Sequence, residues 1–323
     1  MKIAIIKPSS LGDIIQANPV PGALKSAWPD AVIHWVVFEA WKETIDLFPD
    51  VSHVIPWKRS GGISEFIRIL RLLRREHFDI VIDLQGLART ALLARFSGAK
   101  KIIGVPGMKE FSGFIIREAY PGSRNMNAAK RCLETVRYLT GKTYAPRFSL
   151  ALPAIKTPEL EGISSADKLI GIVPFARGAA KEWPLTRYRA LLERILSSFS
   201  DAKVILLGKG SCNFPKHERL IDAMNKTTIP QLAAVIKQCR IVVGGDTGPM
   251  HLAAALDVPV VMLFGGSDVN ETAPVNARAT IIRRDVACSP CRSRPVCSDY
   301  RCLAEITPEE VFDKMAESLQ AQR

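Results

Sequence analysis

The sequence predicts an α/β protein built as two successive doubly wound domains, and three observations carry that prediction. Short β-branched runs alternate with segments of helical period through the first half, the signature of parallel strands joined by crossover helices. A proline- and polar-rich stretch, Tyr144–Asp167, then breaks the pattern with Pro146, Pro153 and Pro158. The alternation restarts at Leu169 and runs on towards the end of the chain. With 323 residues the chain is long for one average domain and comfortable for two of roughly 150 each. The expected division is 1–152 and 153–323.

The elements follow in order. Lys2–Lys7 reads as a buried strand, and Leu11 to about Ser26 as a helix interrupted near Pro19 and Pro21. Ala31–Phe38 and Val54–Pro56 are strands, Ile63–Arg75 a helix, Ile80–Leu84 a strand, Leu87–Phe96 a helix, Lys101–Gly104 a strand and Ala128–Leu139 a helix. In the second half, Leu169–Val173, Lys203–Leu207, Arg240–Val243 and Pro259–Phe264 are the strands. The helices there are Tyr188–Phe199, Ile229–Lys237, Pro249–Leu256 and Thr307–Leu319. The last carries Thr307 as N-cap, Pro308 at the first helical position and Glu310 at the capping-box position. In doubly wound sheets, ligands bind outside the carboxyl ends of the strands, so the loops leaving those ends hold the candidate chemistry.

Composition narrows the partners. No apolar run approaches the ~18–20 residues of a membrane span, and Lys7 and Pro8 close the first apolar stretch too early for a signal peptide. The expectation is therefore a cytoplasmic protein whose seven cysteines remain thiols unless a metal holds them. The net charge of +12 is uneven: residues 1–150 carry +9 and the remainder +3. A basic first half points to an acidic partner: nucleic acid, an anionic membrane surface or an acidic substrate, with a merely solubilising surface as the plain alternative. No nucleic-acid motif and no aromatic–basic interleaving is present, so nucleic acid is not expected.

Three loops carry the chemistry. Lys7-Pro8-Ser9-Ser10-Leu11-Gly12-Asp13 leads from the first strand into the first helix. Asp13, beside a positive helix end, is a candidate general base towards a hydroxyl nucleophile, while Ser9, Ser10 and Gly12 let backbone N–H groups approach a phosphate. The plain alternative is an ordinary helix-start carboxylate. The loop is not a dinucleotide-binding Gly-x-Gly-x-x-Gly. Gly244-Gly245-Asp246-Thr247-Gly248-Pro249-Met250-His251 joins an apolar strand to an apolar helix and offers a helix start to a diphosphate, with Asp246 and His251 beside it. Ala180-Lys181-Glu182-Trp183-Pro184 supplies Lys181 as a point charge for phosphate, or else as a surface lysine beside a core tryptophan.

Together these loops resemble glycosyltransferase family 9, the ADP-heptose:lipopolysaccharide heptosyltransferases. The matching segments are Lys7-x-Ser9-Ser10-Leu11-Gly12-Asp13, Asp83-Leu84-Gln85-Gly86-Leu87, Lys181-Glu182-Trp183-Pro184 and Asp246-Thr247-Gly248-Pro249-Met250-His251-Leu252-Ala253-Ala254-Ala255. Phe264-Gly265 followed by a Pro274 loop also fits, so the resemblance runs over nearly the whole chain.

The resemblance implies a GT-B fold, two Rossmann-like domains facing across a cleft. The first would bind the anionic glycolipid acceptor (Kdo-lipid A or inner core) and the second the ADP-sugar donor, with the helix at about 307–319 packing back on the first. It further implies inverting transfer of heptose from ADP-L-glycero-D-manno-heptose, Asp13 as general base, Lys181 neutralising the departing diphosphate, and no metal or other cofactor in catalysis. Thr247 and Gly248 would hold the diphosphate, Asp246 the heptose hydroxyls and His251 the phosphate region, with Ser9 and Ser10 beside the donor. Glu218 would reach the ribose, and Arg177 would stand in for the hydroxyl or acidic pair that often precedes the Lys-x-Trp-Pro segment. Asn127 occupies a place where a His is common. The enzyme would work at the cytoplasmic face of the inner membrane, in peripheral contact with its anionic surface.

Arg68, Arg71 and Arg75 fall at i, i+3 and i+7 on one helix, behind Lys58 and Arg59 and ahead of Arg89. Lys58, Arg59, Arg68, Arg71 and Arg89 are the candidate acceptor-binding residues, with a solvated face as the plain reading. Cys288, Cys291, Cys297 and Cys302 are spaced C-x2-C-x5-C-x4-C, which admits a structural zinc site, but more tightly than common zinc frameworks, which favours free thiols. The opening segment and Trp35–Trp41 resemble the type that adds the first heptose, the cysteine-rich tail the type that adds the second. Two other readings stay open: the same fold with another nucleotide sugar or glycan acceptor, and a non-catalytic glycan- or lipid-binding relative.

Overall fold

The computed structural model describes residues 1–116, 125–152, 167–292 and 297–321, so most of the expected linker lies outside the described residues. The chain divides into two compact units, Met1–Ala151 and Leu152–Arg323.

The first unit runs β1 (Lys2–Ile6), α1 (Leu11–Ala17), α2 (Pro19–Ala27), β2 (Val32–Phe38), α3 (Lys42–Ile45), β3 (His53–Trp57), α4 (Gly62–Arg75), β4 (Ile80–Asp83), α5 (Ala88–Phe96), β5 (Lys101–Gly104), α6 (Ser112–Ile115) and α7 (Ala128–Thr140). Its strands pair in parallel in the order β3-β2-β1-β4-β5. Ile3–Ile6 are wholly buried, as a central parallel strand covered on both faces requires. The helical stretch after β1 breaks between α1 and α2 because Pro19 cannot donate into the α1 ladder but suits the first position of a new helix. Asn18 at that joint exchanges hydrogen bonds with the Ser149 backbone, 2.9 and 2.8 Å, so the break also anchors the end of the unit.

The second unit runs β6 (Lys168–Val173), α8 (Leu185–Ser198), β7 (Ala202–Leu206), β8 (Leu220–Asp222), α9 (Ile229–Gln238), β9 (Ile241–Gly245), α10 (Gly248–Ala255), β10 (Val260–Phe264), α11 (Val269–Thr272), β11 (Ala279–Arg283), α12 (Arg301–Ala304) and α13 (Pro308–Gln320). Its parallel order is β11-β10-β9-β6-β7-β8. Strand order reverses at β1 in the first sheet and at β6 in the second. The crevices at those reversal points lie beyond the ends of β1 and β4, and of β6 and β9.

Three details differ from the sequence reading. The edge strands β8 and β11 were not expected, because a half-covered edge carries polar residues and shows no apolar run. Helix α8 begins at Leu185 rather than Tyr188, since Pro184 sits at the N-cap and starts the helix a turn early. Thr307 does cap α13, accepting from the Glu310 N–H at 3.2 Å. The Glu310 carboxylate does not complete the box: it is taken by the Arg284 guanidinium. Helix α13 packs on α8 and on β9 and β10, with Val311 and Met315 in the core of its own unit.

Candidate active site

In the first unit, the loop after β1 reaches α1 through Ser10, the N-cap residue. Asp13, at the third helical position, is exposed, and its carboxylate accepts from the Ser10 N–H (3.1 Å) and the Ser10 hydroxyl (2.6 Å). That fixes the side chain at a positive helix end with its outer face towards solvent. Lys7 is buried and donates to the Leu84 carbonyl at 3.1 Å, tying the β1 loop to the β4 loop.

The Asp83-Leu84-Gln85-Gly86-Leu87 segment proves to be scaffolding. Asp83 is fully buried and accepts from Gln85 N–H (2.9 Å), Gly86 N–H (3.1 Å) and the Thr90 hydroxyl (3.0 Å), which shapes the turn into α5. Burial pushes its carboxyl up to about 6, against the pull of those hydrogen bonds. Gly86 has φ +68 and Val105 within 3.1 Å of where a Cβ would sit, so the turn needs a glycine.

The basic residues fall into distinct settings. Arg89 lies over the Phe38 and Trp57 rings at 5.2 and 4.8 Å, and Arg59 over Phe38 at 5.8 Å, at the carboxyl ends of β2 and β3. Arg68 grips the Glu65 carboxylate (2.8 and 2.6 Å), which in turn accepts from the Lys58 N–H at 2.9 Å. The Arg68 contact holds Glu65 well below its ordinary value, at about 2. Arg68 therefore locks the loop that presents Lys58 and Arg59. Arg71 is exposed, and with Arg68 and Arg75 it lines an open cavity of about 450 Å3 along α4.

In the second unit, the loops after β6, β9 and β10 converge. Asp246 is 4% exposed and accepts from Lys181 Nζ (2.7 Å), the Ser267 hydroxyl and His251 Nε2 (2.8 Å). Burial acts to raise its pKa, but the His251 and Lys181 contacts outweigh it and hold the carboxyl well below the usual carboxylate range. The sequence reading assigned Asp246 to sugar hydroxyls; in this structure each of its oxygens accepts from donors of its own unit.

Lys181 reaches this position because of its neighbours. Trp183 is buried and donates to the Ile306 carbonyl at 3.0 Å, edge-on to Tyr188, whose hydroxyl donates to the Val173 carbonyl at 3.2 Å. The Ala180–Lys181 backbone passes directly over Gly245 and Gly265: a Cβ at either would lie 2.2 Å from the Lys181 carbonyl or 2.6 Å from that of Ala180. Thr247 caps α10 and Gly248 opens it, so this helix start faces the same crevice.

Ser267 is the residue the sequence reading missed; its place just beyond Phe264-Gly265-Gly266, in a strand-end loop, was the available signal. Arg177 and Glu218 are exposed, and among the described residues no hydrogen bond joins either to the Asp246 cluster. Cys302 is buried, Cys291 and Cys297 partly so and Cys288 exposed, all as free thiols. Among the described residues, no group of three or more His, Cys, Asp or Glu is placed to hold a metal ion.

Comparison with known proteins follows these loops. The family model of glycosyltransferase family 9 (heptosyltransferase) matches residues 66–299. The chain is 29% identical over 315 residues to lipopolysaccharide heptosyltransferase 1 of Pseudomonas aeruginosa, covering 90% of this chain and 86% of that one. It is 27% identical over 346 residues to lipopolysaccharide heptosyltransferase 2 of Salmonella typhimurium, covering 98% and 97%. Among solved structures, the E. coli ADP-heptose lps heptosyltransferase II superposes with a TM-score of 0.80 at 22% identity, over 100% of this chain and 99% of that one. That likeness shows the fold, which is GT-B.

Proposed function

The chain belongs to glycosyltransferase family 9 and is a glycosyltransferase, and we propose that it transfers heptose from ADP-L-glycero-D-manno-heptose to the Kdo/inner core of lipopolysaccharide with inversion. The observation that carries this reading is the half-buried Lys181 paired with buried Asp246 and His251 at the strand-order reversal of the second unit, beside the start of α10. An ammonium held by a buried carboxylate next to a helix N-terminus suits a leaving diphosphate.

In this mechanism Asp13 takes the proton from the acceptor hydroxyl as that oxygen attacks the anomeric carbon. The glycosidic carbon–oxygen bond to the diphosphate breaks on the opposite side, and ADP leaves with the bonding pair. Lys181 and the first N–H groups of α10 stabilise the charge building on the diphosphate, so catalysis needs no metal. Asp246 positions Lys181 and His251. Ser9, Ser10, Gly12, Arg177 and Glu218 complete the donor contacts. Lys58, Arg59, Arg71 and Arg89 meet the acidic sugars and phosphates of the acceptor, with Arg68 behind them. Among the described residues no helix is long and apolar enough to cross a membrane. In our reading the enzyme works as a peripheral protein at the cytoplasmic face of the inner membrane.

The test is release of ADP from ADP-heptose with and without Kdo-bearing lipid A, for wild type, Asp13→Ala and Lys181→Ala. Acceptor-dependent release, lost in Asp13→Ala while ADP-sugar binding survives, is the expected result. Binding of ADP-heptose with no release on any such acceptor would move the acceptor assignment elsewhere.

A further inference from the structure

Two phenylalanines in the first unit lie almost wholly in solvent. Phe111 and Phe114 are each 83% exposed, with stacked rings 6.4 Å apart. Single exposed apolar residues are ordinary, but a stacked exposed aromatic pair is not. The neighbouring α5, which packs on α6, exposes Leu92 (38%) and Phe96 (50%), four residues apart on one helical face.

The segment bearing the pair is fixed rather than loose. Lys109 N–H and the Ser112 hydroxyl both donate to the Gly86 carbonyl, at 2.8 and 3.0 Å. Glu110 accepts from the Ala88 N–H at 3.2 Å, and Ile116 anchors the far end in the core. Glu110 and Phe111 hold φ of +53 and +58, a left-handed conformation disfavoured for side-chain-bearing residues and typical of segments held for a purpose. The chain thus holds two aromatic rings outward on an anchored segment.

The charge of the unit that carries them complements one kind of surface. Lys58, Arg59, Arg89, Arg95 and Lys109 are all exposed in this unit, and residues 1–150 carry a charge of +9. Apolar rings for the headgroup boundary, together with cationic side chains for lipid phosphates, form a recognised mode of interfacial binding. We propose that Phe111 and Phe114, with Leu92 and Phe96 beside them, dock the enzyme on an anionic lipid bilayer, the pair inserting at the headgroup level. This rests on the proposed reading in one respect: a membrane-anchored glycolipid acceptor gives such docking its use.

The test uses the full chain and vesicles that contain no acceptor. Wild type should sediment with phosphatidylglycerol–phosphatidylcholine vesicles and less with phosphatidylcholine alone, with binding weakened by salt. Phe111→Ser/Phe114→Ser should lose at least about tenfold in partitioning, with an unchanged melting curve and unchanged kcat/KM on a deacylated, soluble acceptor. Equal partitioning of the variant and wild type, equal binding to uncharged vesicles, or a matching loss on the soluble acceptor would each overturn the proposal. Absence of turnover on every acceptor would remove the proposed reaction, and the vesicle comparison would still decide the docking surface.

Discussion

Asp13 and Asp246 both stand just beyond a strand at a point where strand order reverses, yet their settings are opposite. Asp13 is exposed at the start of α1 and held in place by the adjacent Ser10. Asp246 is buried beneath three loops, with Lys181, His251 and Ser267 directed at its two oxygens. A carboxylate that must take a proton from an acceptor hydroxyl needs a face open to that acceptor. A carboxylate that must stay charged to aim a lysine needs burial and donors. In the proposed mechanism the pair divides between a reacting group and a positioning group.

The largest expected effect tests the first half of that division. Asp13→Asn keeps the shape and removes the base, so kcat should fall at least ~100-fold. Stability should fall by no more than about 1 kcal/mol, the scale of a weakened helix cap. A variant that retained wild-type turnover would take Asp13 out of the reaction altogether.

Asp246→Asn should reverse that signature. It leaves Lys181 and His251 facing a neutral amide in a buried place, at a cost of about 2–4 kcal/mol in urea unfolding, since breaking a buried pair strands its partner. Because the folded-state carboxyl is depressed, its contribution is present above the ordinary carboxylate pKa and lost as pH falls through the lower folded value. The variant should lack that part of the acid sensitivity. If instead Asp246→Asn melts like wild type and loses only turnover, Asp246 touches substrate directly.

Another buried titratable group sharpens the contrast, because one of its ring nitrogens lacks a hydrogen bond. His34 is buried in β2 against His53 and Phe78, its Nε2 without a hydrogen bond. Burial, then the neighbouring His53, lowers its pKa from 6.5 to about 4. A depressed histidine contributes stability that is full above 6.5 and lost as pH falls through 4, on the order of 2–3 kcal/mol. Asp83 works the other way: its raised value means stability present below the ordinary carboxylate pKa and lost as pH rises through about 6. Between pH 4 and 6.5 the two act in opposite directions, so the test is the difference between proteins: in melting experiments His34→Leu should lose less stability than wild type as pH falls from 6.5 to 4. Identical slopes would mean that His34 does not titrate in this window.

The division was only half visible in the sequence. Strand–helix alternation and the glycine-rich loops displayed the two doubly wound halves, because buried parallel strands are apolar throughout and glycines mark where backbones cross. Asp13 and Lys181 could be singled out as candidates because each sits in a loop leaving a strand. The contacts of Asp246 were not legible, since they involve Lys181, 65 residues earlier, and Ser267, 21 residues later, and long-range pairing leaves no local pattern. The same holds for Arg68, which reads as one cation in a stripe but is committed to Glu65 on its own helix. Edge strands β8 and β11 escaped for the complementary reason: solvent on one side dilutes their apolar signal.

The smallest expected effect belongs to Ser267, and it tests whether the donors around Asp246 rank as their chemistry suggests. Ser267 shares Oδ2 of Asp246 with Lys181, so its removal leaves that oxygen still paired with a charged donor. Ser267→Ala should then cost about 1 kcal/mol in unfolding, the net worth of one hydrogen bond. It should lower kcat/KM less than about tenfold, since a loss of that energy is worth no more in rate. The drop should reflect a lysine less tightly aimed rather than a missing contact, so Ser267→Thr, which restores the hydroxyl, should recover it. A loss as large as that of Asp13→Asn, not recovered by threonine, would mean that Ser267 meets the substrate itself, and the line between reacting and positioning groups would have to be redrawn through the β10 loop.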